Sequence, residues 1–160
     1  IKDALYLMAS TLFLAISFNT FILIENMGVV YIIYIALITI MTDTFAYAGG
    51  NLIGRHKLCP KISPNKTVEG AVIGSLVGTI IPIMFYDLII TTNENILVVV
   101  LITLLLSIVG QLGDLVFSSI KRYYKVKDYS NIIPGHGGIL DRLDSLIFVA
   151  LTFILFMNIL

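Results

Sequence analysis

The sequence is poor in cysteine, histidine and charge, and each shortage closes off a class of protein. The one cysteine, Cys59, cannot make an intrachain disulfide, which excludes a disulfide-stapled scaffold. The two histidines, His56 and His136, have no cysteine partners at zinc-binding spacing. Charged residues make up 12% of the chain, where an ordinary soluble domain has about 25%. They also cancel, ten Lys and Arg against ten Asp and Glu, so no nucleic-acid partner is expected. What is present instead is apolar: 58% hydrophobic residues and a mean hydropathy of +1.00. A soluble fold of this composition would expose wide apolar patches. The apolar residues come in long runs, so the chain reads as an integral membrane protein.

A spanning helix needs about 20 mostly apolar residues. Five segments meet that length with a little slack: Ala4 to Ile24, Val29 to Ala48, Val68 to Ile90, Ile96 to Phe117 and Leu143 to Leu160. The expected fold is therefore all-α and polytopic, one transmembrane helical domain over residues 1–160. Two connections are short, and two are long and polar, Gly49 to Thr67 and Ser118 to Arg142. Nine of the ten basic residues lie in the long loops, and the tenth, Lys2, precedes the first span. With five spans all of these fall on one side, which the positive-inside rule makes the cytoplasm. Pro82 interrupts the third span and predicts a kink. Gly70, Gly74 and Gly78 form a ridge of small residues that lets helices approach closely. The chain opens on Ile1 and turns apolar at once, without a cleavable signal pattern, so further spans are expected upstream.

The acidic residues are the more telling ones. Asp43 and Asp114 lie within spans, at matching depth toward the same membrane face, and Glu69 opens the third span. Asp141 and Asp144 flank the start of the fifth, spaced i, i+3 and thus on one helix face. A carboxylate at mid-helix in lipid costs at least about 2.5 kcal/mol, so several at one depth point to a shared polar cavity. Glu69 and Asp141 equally suit a helix N-terminus, where a negative charge is favourable. Oxygen ligands around a cavity suit a hard divalent cation, with substrate phosphates and water completing its shell.

The loops add cations and backbone freedom. "SPNKTVEG", Ser63 to Gly70, places Lys66 and Thr67 just ahead of a helix N-terminus, which suits an anion and equally a capped helix start with lysines at the membrane surface. "SSIKRYYKVKDYSNIIPGHGG", Ser118 to Gly138, joins a Lys/Arg run to glycines around His136 whose N–H groups suit a phosphate nest. Glycines, carboxylates and cations together fit a polyphosphate and its metal.

These residues carry a resemblance to a known family. Ser119, Lys121, Arg122, Lys127, Asp128, His136, Gly137, Gly138, Asp141, Arg142 and Asp144 resemble the signature of phosphatidate cytidylyltransferases, the CDP-diacylglycerol synthases. "DTFAYAGGNLIGRHKLCPKISPNKTVEG", Asp43 to Gly70, and "GQLGDLVFSSIKR", Gly110 to Arg122, resemble two further blocks of that family. Asn51 stands where the family usually has a basic residue, and Val68 where a Trp is common.

The resemblance implies a membrane-embedded, all-helical enzyme, commonly a homodimer, whose site opens to the cytoplasm. It implies transfer of CMP from CTP to phosphatidic acid with Mg²⁺, with or without a second cation, in contact with membrane lipids. It also implies that the chain is the C-terminal part of a longer protein. Its implied roles are metal binding by Asp114, Asp141 and Asp144, and catalysis by Asp141, Asp144, Lys121, Arg122 and His136. Substrate binding is implied for Lys66, Thr67, Lys127, Asp128, Gly137, Gly138 and Arg142, with Asp43 and Glu69 lining the cavity or supporting its ligands. Three other readings stand beside this one: a CTP-transferase acting on another lipid phosphate, an ion-coupled transporter using Asp43 and Asp114 as ion sites, and a non-catalytic membrane scaffold. The transporter would be expected to carry inverted repeats, which the sequence does not display, and a non-catalytic scaffold would tolerate loss of Asp141.

Overall fold

The computed structural model describes residues 2–90, 94–130 and 138–157, with the side chains of Lys2 and Asp3 left aside. His136 and Gly137 lie outside the described residues. The elements are helices α1 (Lys2–Met27) and α2 (Val29–Ile53), strands β1 (Lys57–Cys59) and β2 (Ser63–Thr67), and helices α3 (Val68–Val77) and α4 (Ile80–Phe85). A π-helical turn, Tyr86–Ile90, extends α4, and α5 (Ile96–Tyr123) and α6 (Leu140–Met157) complete the fold.

Among the described residues, four helical runs are long and apolar enough to cross a membrane: Ala4–Met27, Val29–Ile53, Val68–Ile90 and Ile96–Tyr123. The fifth expected span corresponds to α6, whose described part carries Asp141, Arg142 and Asp144 near its start. The expected polytopic all-α architecture is therefore present, with two local differences. The Gly49 to Thr67 connection is not all loop: α2 runs on to Ile53, and β1 and β2 pair antiparallel, Lys57 opposite Thr67 and Cys59 opposite Ser63. Likewise α5 continues to Tyr123, so Lys121 and Arg122 sit on its last turn rather than in the loop. Basic side chains at a helix C-terminus complement its dipole, which extends α5 past the apolar stretch.

Helix α2 is the centre of the bundle and touches α1, α3, α4, α5 and α6. Gly28, at φ +139°, makes the turn between α1 and α2, a conformation that side-chain-bearing residues rarely adopt. The small ridge of α3 lies against α2. A Cβ on Gly74 would stand 2.7 Å from the Thr42 carbonyl oxygen, so only glycine permits this approach. The third span breaks after Gly74's turn, at Gly78 and Thr79, and restarts with Pro82 as the third residue of α4. There its missing N–H is one of those that a helix start leaves unpaired anyway. The kink expected at Pro82 is thus a helix break just before it.

In lipid each buried polar group must find a protein partner. The Tyr34 hydroxyl lies 2.6 Å from Thr103 Oγ1, while its ring packs edge-on against Tyr86 and Phe153. One helical turn and more toward the loops, a ladder ties three helices. Thr42 donates to Ser107 (2.9 Å), Ser107 to Ser75 (3.3 Å), and Gln111 Nε2 to both Ser75 (2.8 Å) and the Ala71 carbonyl (3.2 Å). The ladder holds α2, α3 and α5 in register directly beneath the polar site.

Candidate active site

At the loop-bearing end of α2 and α5 a cavity of about 470 Å³ opens, floored by Asp43, Ala71, Gln111 and Asp114. Lys57, Asn65 and Lys66 reach it from the β-hairpin, and Tyr47 and Asn51 from α2. The hairpin explains how the basic residues arrive. Val68 N–H bonds the His56 carbonyl (2.9 Å), and Thr67 caps α3 by accepting from Gly70 N–H (3.1 Å). This fixes Lys66 immediately before the helix, where its ammonium pairs directly with the Asp114 carboxylate. Asp114 also accepts from Ser118 Oγ (3.1 Å), one turn along α5. Asp43 on α2 lies close enough to feel the charges of both Lys66 and Asp114.

A second polar cluster lies about two turns further along α5, around Lys121. Seven residues separate Asp114 from Lys121, so the two share a helix face at about 10 Å of rise. Lys121 Nζ stands 2.8 Å from Asp141 Oδ1 and 3.9 Å from Asp144 Oδ2. It also lies 5.3 Å from the centre of the Tyr129 ring. The i, i+3 spacing of Asp141 and Asp144 does put both on one face, and that face brackets a lysine. Asp141 Oδ2 accepts the N–H groups of Tyr129 and Gly138, each at 2.9 Å. Burial opposes ionisation of Asp141, but Lys121 and those two N–H groups outweigh it and hold its carboxyl below the usual range. Tyr129 is pushed up to about 12 by burial, with Tyr6 and the charges of Asp141 and Asp144 adding to the effect. Asp144 accepts from Ser145 N–H (2.8 Å) and is near enough to Asp114 and Asp43 for their charges to interact.

The expected site residues thus divide. Asp43, Lys66, Thr67 and Asp114 come together around the cavity. Lys121, Gly138, Asp141 and Asp144 come together in the second cluster. The trio Asp114, Asp141 and Asp144 does not gather as one metal-ligand group, and no three His, Cys, Asp or Glu side chains do so among the described residues. Asp114 stands at the cavity beside Lys66, whereas Asp141 is bonded to Lys121 and to backbone N–H groups further along α5. Glu69 stands outside the cavity lining and closes the turn after α2 instead. It accepts from the N–H groups of Arg55 (3.1 Å) and His56 (3.2 Å), with His56 Nδ1 at 2.5 Å.

Arg122 braces the hairpin, donating through Nε to the Ile62 carbonyl (3.2 Å) and through Nη1 to the Val126 carbonyl (3.1 Å). Lys127 and Asp128 are exposed in the loop after α5, and Arg142 is exposed on the first turn of α6. Sequence reasoning missed Gln111, Tyr47, Asn65 and Lys57. Gln111 was signalled by its place three residues before Asp114, which puts the two on one helix face. The others depend on the hairpin and on the continuation of α2, which periodicity does not reveal.

The sequence model of the cytidylyltransferase family matches residues 2–160. The chain belongs to this family. Among similar proteins is the phosphatidate cytidylyltransferase of Staphylococcus haemolyticus, 48% identical over 150 residues, covering 92% of this chain and 56% of that protein. Those of Staphylococcus epidermidis and Staphylococcus aureus are each 47% identical, over 150 and 148 residues, with the same coverage. The chain therefore spans about half the length of these relatives. For a member of the cytidylyltransferase family, the cavity between α2, α5 and the β-hairpin is the natural place to look for nucleotide chemistry.

Proposed function

We propose that the chain carries the catalytic cavity of a phosphatidate cytidylyltransferase, which transfers CMP from CTP to phosphatidic acid and releases pyrophosphate. The observation that supports this most is the joint placement of Asp43, Asp114 and Lys66 in one cavity at the membrane edge. A phosphorylated lipid presents its phosphate at that depth, and a nucleotide reaches it from water. The loop-bearing face is the cytoplasmic one in this reading, which the concentration of Lys and Arg there supports.

The donor set suits a divalent cation. Mg²⁺ takes one or two carboxylates and leaves its remaining positions to phosphates and water. Asp43 and Asp114, on facing helices of one cavity, are those carboxylates here. When bound, the cation would neutralise charge on the triphosphate and make its α-phosphorus more open to attack. The protein side of the reaction is positioning and charge. Lys66, held by Asp114 before substrate arrives, is placed to turn its ammonium to the phosphates when they enter. Lys57 adds a second positive charge at the mouth. The start of α3, capped by Thr67, favours a negative group through its dipole. A phosphatidate oxygen then attacks the α-phosphorus, the bond to the β-phosphate oxygen breaks, and pyrophosphate leaves with that electron pair. No residue needs to form a covalent intermediate, and the gain comes from orientation and electrostatic stabilisation.

The test is to incubate the protein in lipid nanodiscs with CTP, Mg²⁺ and phosphatidate, and to measure pyrophosphate and CDP-diacylglycerol. The expected result is stoichiometric formation of both. Asp114→Asn is expected to lower kcat by about 10²–10³-fold, the range for loss of one electrostatic group in a preorganised site. Full activity in Asp114→Asn would contradict this assignment.

A further inference from the structure

Both lysines that the hairpin brings to the cavity flank its base, and a carboxylate outside the cavity holds that base together. Lys57 opens β1, and Lys66 is the next-to-last residue of β2, where its neighbour Thr67 pairs with Lys57. Immediately before β1 and after β2, the turn that leaves α2 meets the start of α3. The Val68 N–H bonds the His56 carbonyl there (2.9 Å). Glu69, the second residue of α3, reaches back across the same junction. Its Oε2 accepts the N–H groups of Arg55 (3.1 Å) and His56 (3.2 Å). Its Oε1 lies 2.5 Å from His56 Nδ1. An ionised carboxylate only accepts, so Nδ1 carries the proton of that bond whether the ring is neutral or charged. The junction is tightly packed, since a Cβ on Gly54 would stand 2.7 Å from the Thr67 side chain. Lys57 lines the cavity, and its ammonium pairs with no carboxylate among the described residues, so the backbone sets where it stands.

We propose that Glu69 is a positioning residue: its carboxylate latches the base of the hairpin and thereby sets where Lys57 and Lys66 stand at the cavity. The chain makes the linkage short. Lys57 directly follows His56, whose N–H and ring Glu69 both holds, and Lys66 lies three residues before Glu69. The two lysines depend on the latch unequally. Lys66 has a second anchor in Asp114, whereas Lys57 has only the backbone that carries it. The latch also suits its place in the fold, because a negative charge in the first turn of α3 is favoured by the helix dipole. Without Glu69, the N–H groups of Arg55 and His56 lose these partners, and the end of α2 is freed from the start of α3. That the lysines meet phosphates rests on the function proposed above; the latch itself rests on these contacts alone.

A double-mutant cycle on CTP binding with Mg²⁺, in nanodiscs, tests this. Glu69→Ala and Lys57→Met are each expected to weaken binding about tenfold, the scale of one charge-assisted contact. If Glu69 acts through Lys57, the double variant is expected to bind within about threefold of Lys57→Met alone. Losses that multiply to about a hundredfold would overturn the proposal, because independent effects add in free energy. Glu69→Gln keeps an acceptor for the two N–H groups and is expected to recover part of the affinity; no recovery would count against the latch. If Glu69→Ala fails to fold, the wild type decides. Nitrogen NMR of His56 with its ring neutral is expected to show the proton on Nδ1, and the Arg55 and His56 amides are expected to exchange slowly. A proton on Nε2 together with fast exchange would overturn the latch. A wild type that binds no CTP would overturn the function proposed above, and the same spectra and exchange rates would then decide the latch by themselves.

Discussion

At the scale of single residues, the same pair of types, Lys and Asp, does two different jobs in this chain. Lys66 and Asp114 face an open cavity, where entering phosphates can compete for the lysine. Lys121 and Asp141 are almost wholly enclosed, with side chains 9% and 7% exposed. Breaking an enclosed pair by removing one partner leaves a buried charge and is strongly destabilising. The pH response follows from the directions of the shifts. A carboxyl held below its ordinary value stabilises the fold above that value and loses this contribution as pH falls through the lowered one. For Asp141 the loss therefore begins below its ordinary 3.8. Tyr129, raised from 10.0 to about 12, contributes stability that is lost as pH climbs from 10 toward 12. Exchange at the Tyr129 and Gly138 amides is thus expected to stay slow from pH 4 to pH 10 after correction for intrinsic rates, and to quicken outside that window. Quickening near pH 6 would contradict the assigned partners.

At the scale of elements, the decisive contact is α3 against α2, because β2 leads straight into α3 and carries Lys66. Gly74→Leu would drive a side chain into Thr42 and Ala46. Overpacking of this kind costs about 1–3 kcal/mol. The expected result is a lower Tm together with a loss of CTP affinity, while Gly74→Ala shows a smaller loss of both. An unchanged Tm in Gly74→Leu would mean that the helices do not approach as described. This ridge was legible in the sequence, as were the spans, since long apolar runs and small residues every fourth position have few other meanings. The β-hairpin was not legible. "KLC" and "SPNKT" are too short and too polar to carry a period-2 pattern, and their pairing is set by the ends of α2 and α3. The continuation of α5 through Lys121 was hidden because hydropathy falls before the helix does. The split of the carboxylates into two clusters was hidden for a different reason. Spacing along a helix tells which residues share a face, but not which lysine from another element will claim each one.

At the scale of the whole molecule, the β-hairpin lines the cavity and the end of α5 meets that hairpin through Arg122, so the two lie at one end of the bundle. Cys59, the chain's one cysteine, lies on β1 of the hairpin and is partly exposed. It is a ready-made reporter of orientation. A membrane-impermeant maleimide is expected to label it in inverted vesicles and to leave it unlabelled in right-side-out cells. The opposite pattern would place the cavity on the wrong face for a nucleotide made in the cytoplasm.

If this cavity joins a nucleotide's α-phosphate to a lipid phosphate, the fate of isotopic label reads that chemistry without an intermediary. CTP labelled at either the α- or the γ-phosphate would be supplied with phosphatidate and Mg²⁺ to the protein in nanodiscs. The α-label is expected to pass into the lipid extract and the γ-label to stay in water as pyrophosphate, with Asp114→Asn suppressing the transfer. Label from the γ-phosphate in the lipid, or no lipid label with either substrate, would contradict the proposed reaction.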